Sequence, residues 1–201
     1  MEKLIYIAIT LISAIFVMLI HETTKNIAYY IIRKTEGKQK PKGIFCIWKA
    51  IDLVGIITAL SMYTPFSKQY KYTISNKKTS LIVGITGFVS LMLCFAFSIV
   101  VLKLCFQSYI TEPAWSDSFI YYTYLTVLNI ALFSVTMFLV NLFPITCFDM
   151  GLVILGSNSK NRSVIVVFDG LLKLVFFFMI VLRVFLNLST TITNYLIAFF
   201  I

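Results

Sequence analysis

Charge is scarce in this chain of 201 residues, since only 12% of the residues are Asp, Glu, Lys or Arg. A soluble domain carries about a quarter charged residues, so this composition excludes an ordinary soluble globular protein. Long apolar runs take the place of the charges: Leu4–Ile20, Leu81–Leu102, Phe119–Phe143 and, interrupted by two basic residues, Gly170–Leu188. Each run is close to the length of about 20 residues with which a helix crosses a hydrocarbon core. We expect an integral membrane protein.

Histidine occurs only once, at His21, which excludes any metal site that needs two imidazoles. The cysteines also lack a metal-binding or disulfide pattern, because no two of them have Cys-x-x-Cys spacing; they are Cys46, Cys94, Cys105 and Cys147. Cys94 lies inside an apolar run, and Cys105 lies three residues beyond the end of the same run. We therefore interpret them as small buried hydrophobic residues.

Acidic residues are few, 8 against 17 basic residues, and the net charge is +9. The basic residues crowd three loops and avoid the loop 109–118; they are Lys25, Arg33, Lys34, Lys38, Lys40, Lys42 and Lys49, then Lys68, Lys71, Lys77 and Lys78, then Lys160 and Arg162. This asymmetry is the positive-inside pattern of cytoplasmic loops that face anionic lipid. We expect membrane lipid and no nucleic acid as a partner, an N-terminus outside the cell, and His21 near the cytoplasmic face.

Two further apolar segments are too short to cross a membrane alone. The segment from Ile51 to Phe66 contains Asp52 and Pro65 and has a basic loop on each side. A full crossing would place one basic loop outside, whereas a re-entrant segment returns to its own side when it is buried against protein. We therefore favour re-entry. The final segment, Thr190 to Ile201, either dips back or lies at the interface.

Ionisable residues at membrane depth are costly and usually functional, and the candidates here are His21, Glu22, Lys25, Asp52 and Asp149. His21-Glu22 begins a sequence of the His-Glu-x-x-His type, in which histidines at i and i+4 share one helix face and bind one metal. Lys25 stands where the second histidine would be. Asp149 follows the helix-breaking Pro144 and either points into a cavity or caps the next helix.

Four segments of the chain occur in an order that resembles the site-2 protease family of intramembrane zinc metalloproteases, especially its small bacterial members. They are His21-Glu22-Thr23-Thr24-Lys25 with Ala28, then Cys46 to Gly55, then Thr86-Gly87-Phe88-Val89-Ser90, then Asn141 to Gly151. The resemblance runs from about residue 10 to residue 188. It implies one domain over residues 1–201: an all-α, multi-pass protein of a bacterial cell membrane, with about four to six transmembrane helices and a re-entrant segment.

The resemblance also implies roles for individual residues. His21 and Asp149 correspond to zinc ligands, Glu22 to the catalytic general base, and Asn141 to a residue that binds the substrate backbone. The second histidine ligand corresponds to Lys25, and a further family histidine corresponds to Ala50. A catalytic zinc needs three protein ligands and an open position, and a lysine ammonium repels a dication. Zinc, the family cofactor, is therefore doubtful in this chain.

Three hypotheses follow. The first is a degenerate homologue without zinc, in which Lys25 is the counter-ion of Asp149 and the protein binds or regulates membrane polypeptides. The second is an active intramembrane metalloprotease in which Cys147 supplies a third ligand. The third is an unrelated small transporter or immunity-type membrane protein, in which the same polar residues form an ion relay. The distance between His21 and Asp149 discriminates among them.

Overall fold

The computed structural model describes residues 2–39, 43–46, 48, 50–68, 72, 77–111, 118–157 and 161–200. Within these ranges the chain forms α-helices and no β-strand; the helices are α1 (Glu2–Thr35), α2 (Leu53–Met62), α3 (Lys77–Thr111), α4 (Ser118–Asn141), α5 (Asp149–Gly156), α6 (Asn161–Val181) and α7 (Val184–Phe200). The predicted all-α class is confirmed over the described residues.

Four of these helices, α1, α3, α4 and α6, are long and apolar enough to cross a membrane. They are compatible with a multi-pass membrane protein. The first three contain or nearly coincide with the uncharged runs of the sequence. The fourth run was predicted as one stretch over Gly170–Leu188, but the structure divides it. Helix α6 ends at Val181, Arg183 adopts a left-handed backbone conformation with φ of 55°, and α7 begins at Val184.

Helix α2 is short because both of its ends are fixed by local hydrogen bonds. Asp52 Oδ1 accepts from the backbone N–H groups of Val54 and Gly55, at 2.8 and 3.1 Å, so Asp52 is the N-cap. Tyr63 ends the helix in a left-handed conformation with φ of 51°. Ten residues of helix measure about 15 Å, half the thickness of a hydrocarbon core. Asp52, a candidate site residue in the sequence, therefore acts here as a helix cap.

After α2 ends, the chain turns back and runs to the beginning of the same helix. The backbone of Phe66 approaches Gly55 so closely that a β-carbon at Gly55 would lie 1.9 Å from the Phe66 carbonyl oxygen. Two residues later, the N–H of Lys68 donates to the carbonyl of Ala50 at 3.2 Å. The segment from Ala50 to Lys68 thus begins and ends at the same place.

The core lies where α1, α3 and α4 pack together. Its fully buried apolar residues come from all three helices; they include Ala14, Val17, Met18, Leu91, Phe133 and Met137. The short α5 packs against α3 through glycines, because a β-carbon at Gly84 would lie 2.8 Å from the carbonyl oxygen of Asp149. This close approach brings the N-terminus of α5 beside the middle of α1.

Candidate functional site

Three ionisable side chains project from one face of α1 into the protein. His21, Glu22 and Lys25 are each no more than 1% exposed. Residues four apart in a helix lie on one face, and Val17 and Met18 continue that face into the apolar core. Because Val17 and Met18 on this face pack in the core, the three polar side chains next to them are also buried.

Asp149 comes to the same place from a break between two helices. Helix α4 ends at Asn141, the backbone turns through Phe143 to Phe148, and α5 starts at Asp149, whose side chain is fully buried. Asn141 holds this break together. Its Nδ2 donates to the Met137 carbonyl at 2.9 Å, and its Oδ1 accepts from the Asp149 N–H at 3.3 Å. Asn141 therefore positions Asp149, and its role in substrate binding stays a prediction.

A glycine on α3 makes room for the Asp149 carboxylate. A β-carbon at Gly87 would lie 2.1 Å from Asp149 Oδ2 and 2.5 Å from the carboxyl carbon. No side chain larger than hydrogen fits there unless the carboxylate moves. Gly87, in the segment Thr86 to Ser90, thus leaves the space that the Asp149 carboxylate occupies.

The four ionisable side chains form one contiguous ion cluster, defined by His21, Glu22, Lys25 and Asp149. Lys25 Nζ lies 2.7 Å from Asp149 Oδ1 and 3.0 Å from Glu22 Oε1, so the ammonium bridges two carboxylates. His21 Nε2 lies 3.1 Å from Asp149 Oδ2 and 3.7 Å from Glu22 Oε1. The residues that follow the first and the third long apolar run thus converge on a single point.

Ser90 of α3 connects His21 to the backbone of that helix. Its hydroxyl donates to the Gly87 carbonyl at 2.7 Å and lies 3.2 Å from His21 Nδ1. On its other side, His21 Nε2 faces Asp149 Oδ2. The imidazole of His21 is therefore held between α3 and the first residue of α5.

Further hydrogen bonds connect α1, at and next to the ion cluster, with the chain that follows α2. Ser67 Oγ donates to Glu22 Oε1 at 2.7 Å. Tyr72 donates to Asn26 Oδ1 at 3.0 Å, and Asn26 Nδ2 donates to the Ile44 carbonyl at 2.8 Å. Burial raises the pKa of the Tyr72 hydroxyl, which keeps it a neutral donor. Sequence reasoning missed these residues, and no local pattern marks Ser67 or Tyr72.

The donor set of the ion cluster does not fit catalytic zinc. Such a site needs three protein ligands and an open position, and the cluster offers one imidazole, His21, and the carboxylates of Glu22 and Asp149. The Lys25 ammonium lies 2.7 Å from Asp149 Oδ1 and 3.0 Å from Glu22 Oε1, and a cation between the two carboxylates repels a dication. Cys147 is exposed, and among the described residues no three His, Cys, Asp or Glu side chains are grouped to bind a metal.

Comparisons of this chain with protein-family models, with curated proteins and with solved structures gave no match.

Proposed function

We propose that this protein is a site-2-protease-like membrane protein without zinc, and that it binds or regulates membrane polypeptides without cleaving them. The observation that carries the proposal is the position of Lys25. Its ammonium lies within 3.0 Å of two carboxylates, Glu22 and Asp149, at the point where the resemblance implies a metal. The Lys25 ammonium supplies one of the two positive charges that a zinc ion would bring.

Burial explains why a cation must remain at this point. Asp149 is 0% exposed and Glu22 is 1% exposed, and an uncompensated carboxylate in a low-dielectric interior costs several kcal/mol. A lysine at position 25 therefore keeps a positive charge beside both carboxylates without a second histidine. It does not supply the Lewis acid and the activated water on which the family's peptide hydrolysis depends.

The path of the chain from Ala50 to Lys68 supports the topology expected for this family. The two ends of the segment are joined by a backbone hydrogen bond, and α2 is too short to cross a membrane. We propose that the segment is re-entrant and that its basic flanks both face the cytoplasm. In that arrangement α1 runs inwards, α3 outwards and α4 inwards, and the ion cluster lies near the cytoplasmic side.

The other two hypotheses differ from this proposal in what they require of the cluster. An active metalloprotease needs a third ligand, and Cys147, exposed and outside the cluster, does not provide it. A large distance between His21 and Asp149 would have supported an unrelated transporter or immunity-type protein, but their side chains are in contact at 3.1 Å.

Metal analysis of the purified protein tests the proposal. We expect no stoichiometric zinc in the wild type and no cleavage of a membrane-anchored peptide in liposomes. The Lys25→His variant should gain zinc, since it restores the second imidazole on the same face. Zinc in the wild type that disappears in His21→Ala, or peptide cleavage that disappears in Glu22→Gln, would contradict the proposal and favour the active protease.

A further inference from the structure

A cavity of about 590 Å³ lies beside the ion cluster, between α6 and the rest of the protein. Most of its wall is apolar and includes three aromatic rings, Phe66, Phe148 and Phe176, that also contact one another. Leu152 and Leu155 of α5 also line it. A volume of this size suits a ligand of several hundred daltons or part of a lipid chain.

The charged residues around the cavity favour an anion. Lys68, Lys173 and Asp52 line it. The carboxylate of Asp52 is engaged as the N-cap of α2, and Lys173 forms an ion pair with Asp169. Lys68 has no carboxylate partner among the described residues. A ligand with a negative head would therefore meet two lysines in the wall of this cavity, and Lys68 has no ion pair within the described part of the chain.

Helix α6, which forms one side of the cavity, also has an exposed apolar surface. Most of this helix is exposed and apolar; its exposed side chains include Val164, Val167, Leu171, Leu174, Phe177 and Phe178. In a membrane such a surface faces acyl chains, and Lys173 and Phe176 of the same helix line the cavity. Basic pockets between transmembrane helices bind the headgroups of anionic lipids.

We propose that this cavity binds one anionic phospholipid, with its phosphate on Lys68 and Lys173 and an acyl chain against Phe66, Phe148 and Phe176. The proposal is independent of the chemistry of the ion cluster, although Ser67 lines the cavity and also donates to Glu22. The bound lipid would cover Cys147, which is exposed and lines the same cavity.

Cys147 provides the readout. In full-length protein carrying Cys46→Ser and Cys105→Ser, it is the only exposed cysteine, because Cys94 is buried. The rate of maleimide labelling is measured in neutral detergent with increasing phosphatidylglycerol, and mass spectrometry identifies the labelled residue. We expect phosphatidylglycerol to slow the labelling of Cys147, and phosphatidylcholine or inorganic phosphate at the same concentration to leave it unchanged.

The lysine variants assign the headgroup contact. Lys68→Gln should raise the phosphatidylglycerol concentration that gives half-protection by about fivefold, the usual effect of one basic residue near an anionic lipid. Lys34→Gln removes the same charge from an exposed position of α1 that does not line this cavity, and it should leave protection unchanged. No protection, equal protection by phosphatidylcholine or phosphate, or full protection in Lys68→Gln would overturn the proposal. Protection of Cys147 that increases with protein concentration would also overturn the proposal, since a second copy of the protein would then fill the cavity.

Discussion

Two lysine–aspartate pairs in this protein have the same chemistry and very different surroundings. Lys25 and Asp149 come from helices far apart in the sequence, and their side chains are 1% and 0% exposed. Lys173 and Asp169 are four residues apart on α6, and their side chains are 53% and 19% exposed. Only the second pair has the i, i+4 spacing that brings two side chains together on one helix.

The difference in exposure determines what each pair does. An exposed pair gains little, because solvent or headgroups screen its charges and two long side chains lose freedom. A buried pair is no great source of stability against an apolar alternative, but removal of one partner leaves an unpaired charge in the interior. The buried pair therefore makes the fold depend on both residues, and the exposed pair does not.

The largest effect is expected for Lys25→Met. This change removes the ammonium that bridges Glu22 and Asp149 and leaves the cluster with an excess negative charge. We expect a loss of about 3–5 kcal/mol in the free energy of unfolding, measured by denaturant titration in detergent. A loss as small as that of Lys173→Met would show that burial does not distinguish the two pairs.

The next effect concerns the space around the buried carboxylate. Gly87→Ala places a methyl group 2.1 Å from Asp149 Oδ2, so the carboxylate must move away from His21 and Lys25. We expect a loss of about 1–3 kcal/mol, the usual cost of overpacking a filled interior. Gly170→Ala on α6 is the matched control, because nothing lies within 4 Å of its added carbon. It should unfold at the same or a higher denaturant concentration than the wild type.

A smaller effect is expected at the edge of the cluster. Ser67→Ala removes a hydrogen bond of 2.7 Å to Glu22 Oε1 but leaves the contact of that oxygen with Lys25. We expect a loss of about 1–2 kcal/mol by the same titration. The control is Ser61→Ala, whose hydroxyl donates only to the Ile57 carbonyl of its own helix. Equal losses in the two variants would mean that Ser67 adds nothing to the cluster.

The smallest effect belongs to the exposed pair. Lys173→Met removes the ion pair with Asp169, but Asp169 keeps its hydrogen bonds from the N–H and the hydroxyl of Thr146. We expect a change of about 0–1 kcal/mol. A loss of several kcal/mol in the free energy of unfolding would mean that the exposed pair stabilises the fold as much as the buried pair does.

The sequence predicted the parts of the molecule that depend on composition and local pattern. The long apolar runs predicted α1, α3 and α4. The order of the four segments that resemble the site-2 protease family implied that His21 and Asp149 lie close together. It did not predict the break at Arg183, because arginine is compatible with a helix and no glycine or proline marks this turn in the sequence. Ser67 and Tyr72 were missed because they reach α1 through the return of the chain after α2, a contact across more than 40 residues.

The central claim is that Lys25 is present to balance the charge of Asp149. A double-mutant cycle measures this directly, with Lys25→Met, Asp149→Leu and the two changes combined, each titrated with denaturant in detergent. If the claim holds, the double variant is more stable than the sum of the single losses predicts, by about 2–3 kcal/mol, because neither charge is left alone. Single losses that add without coupling would contradict it.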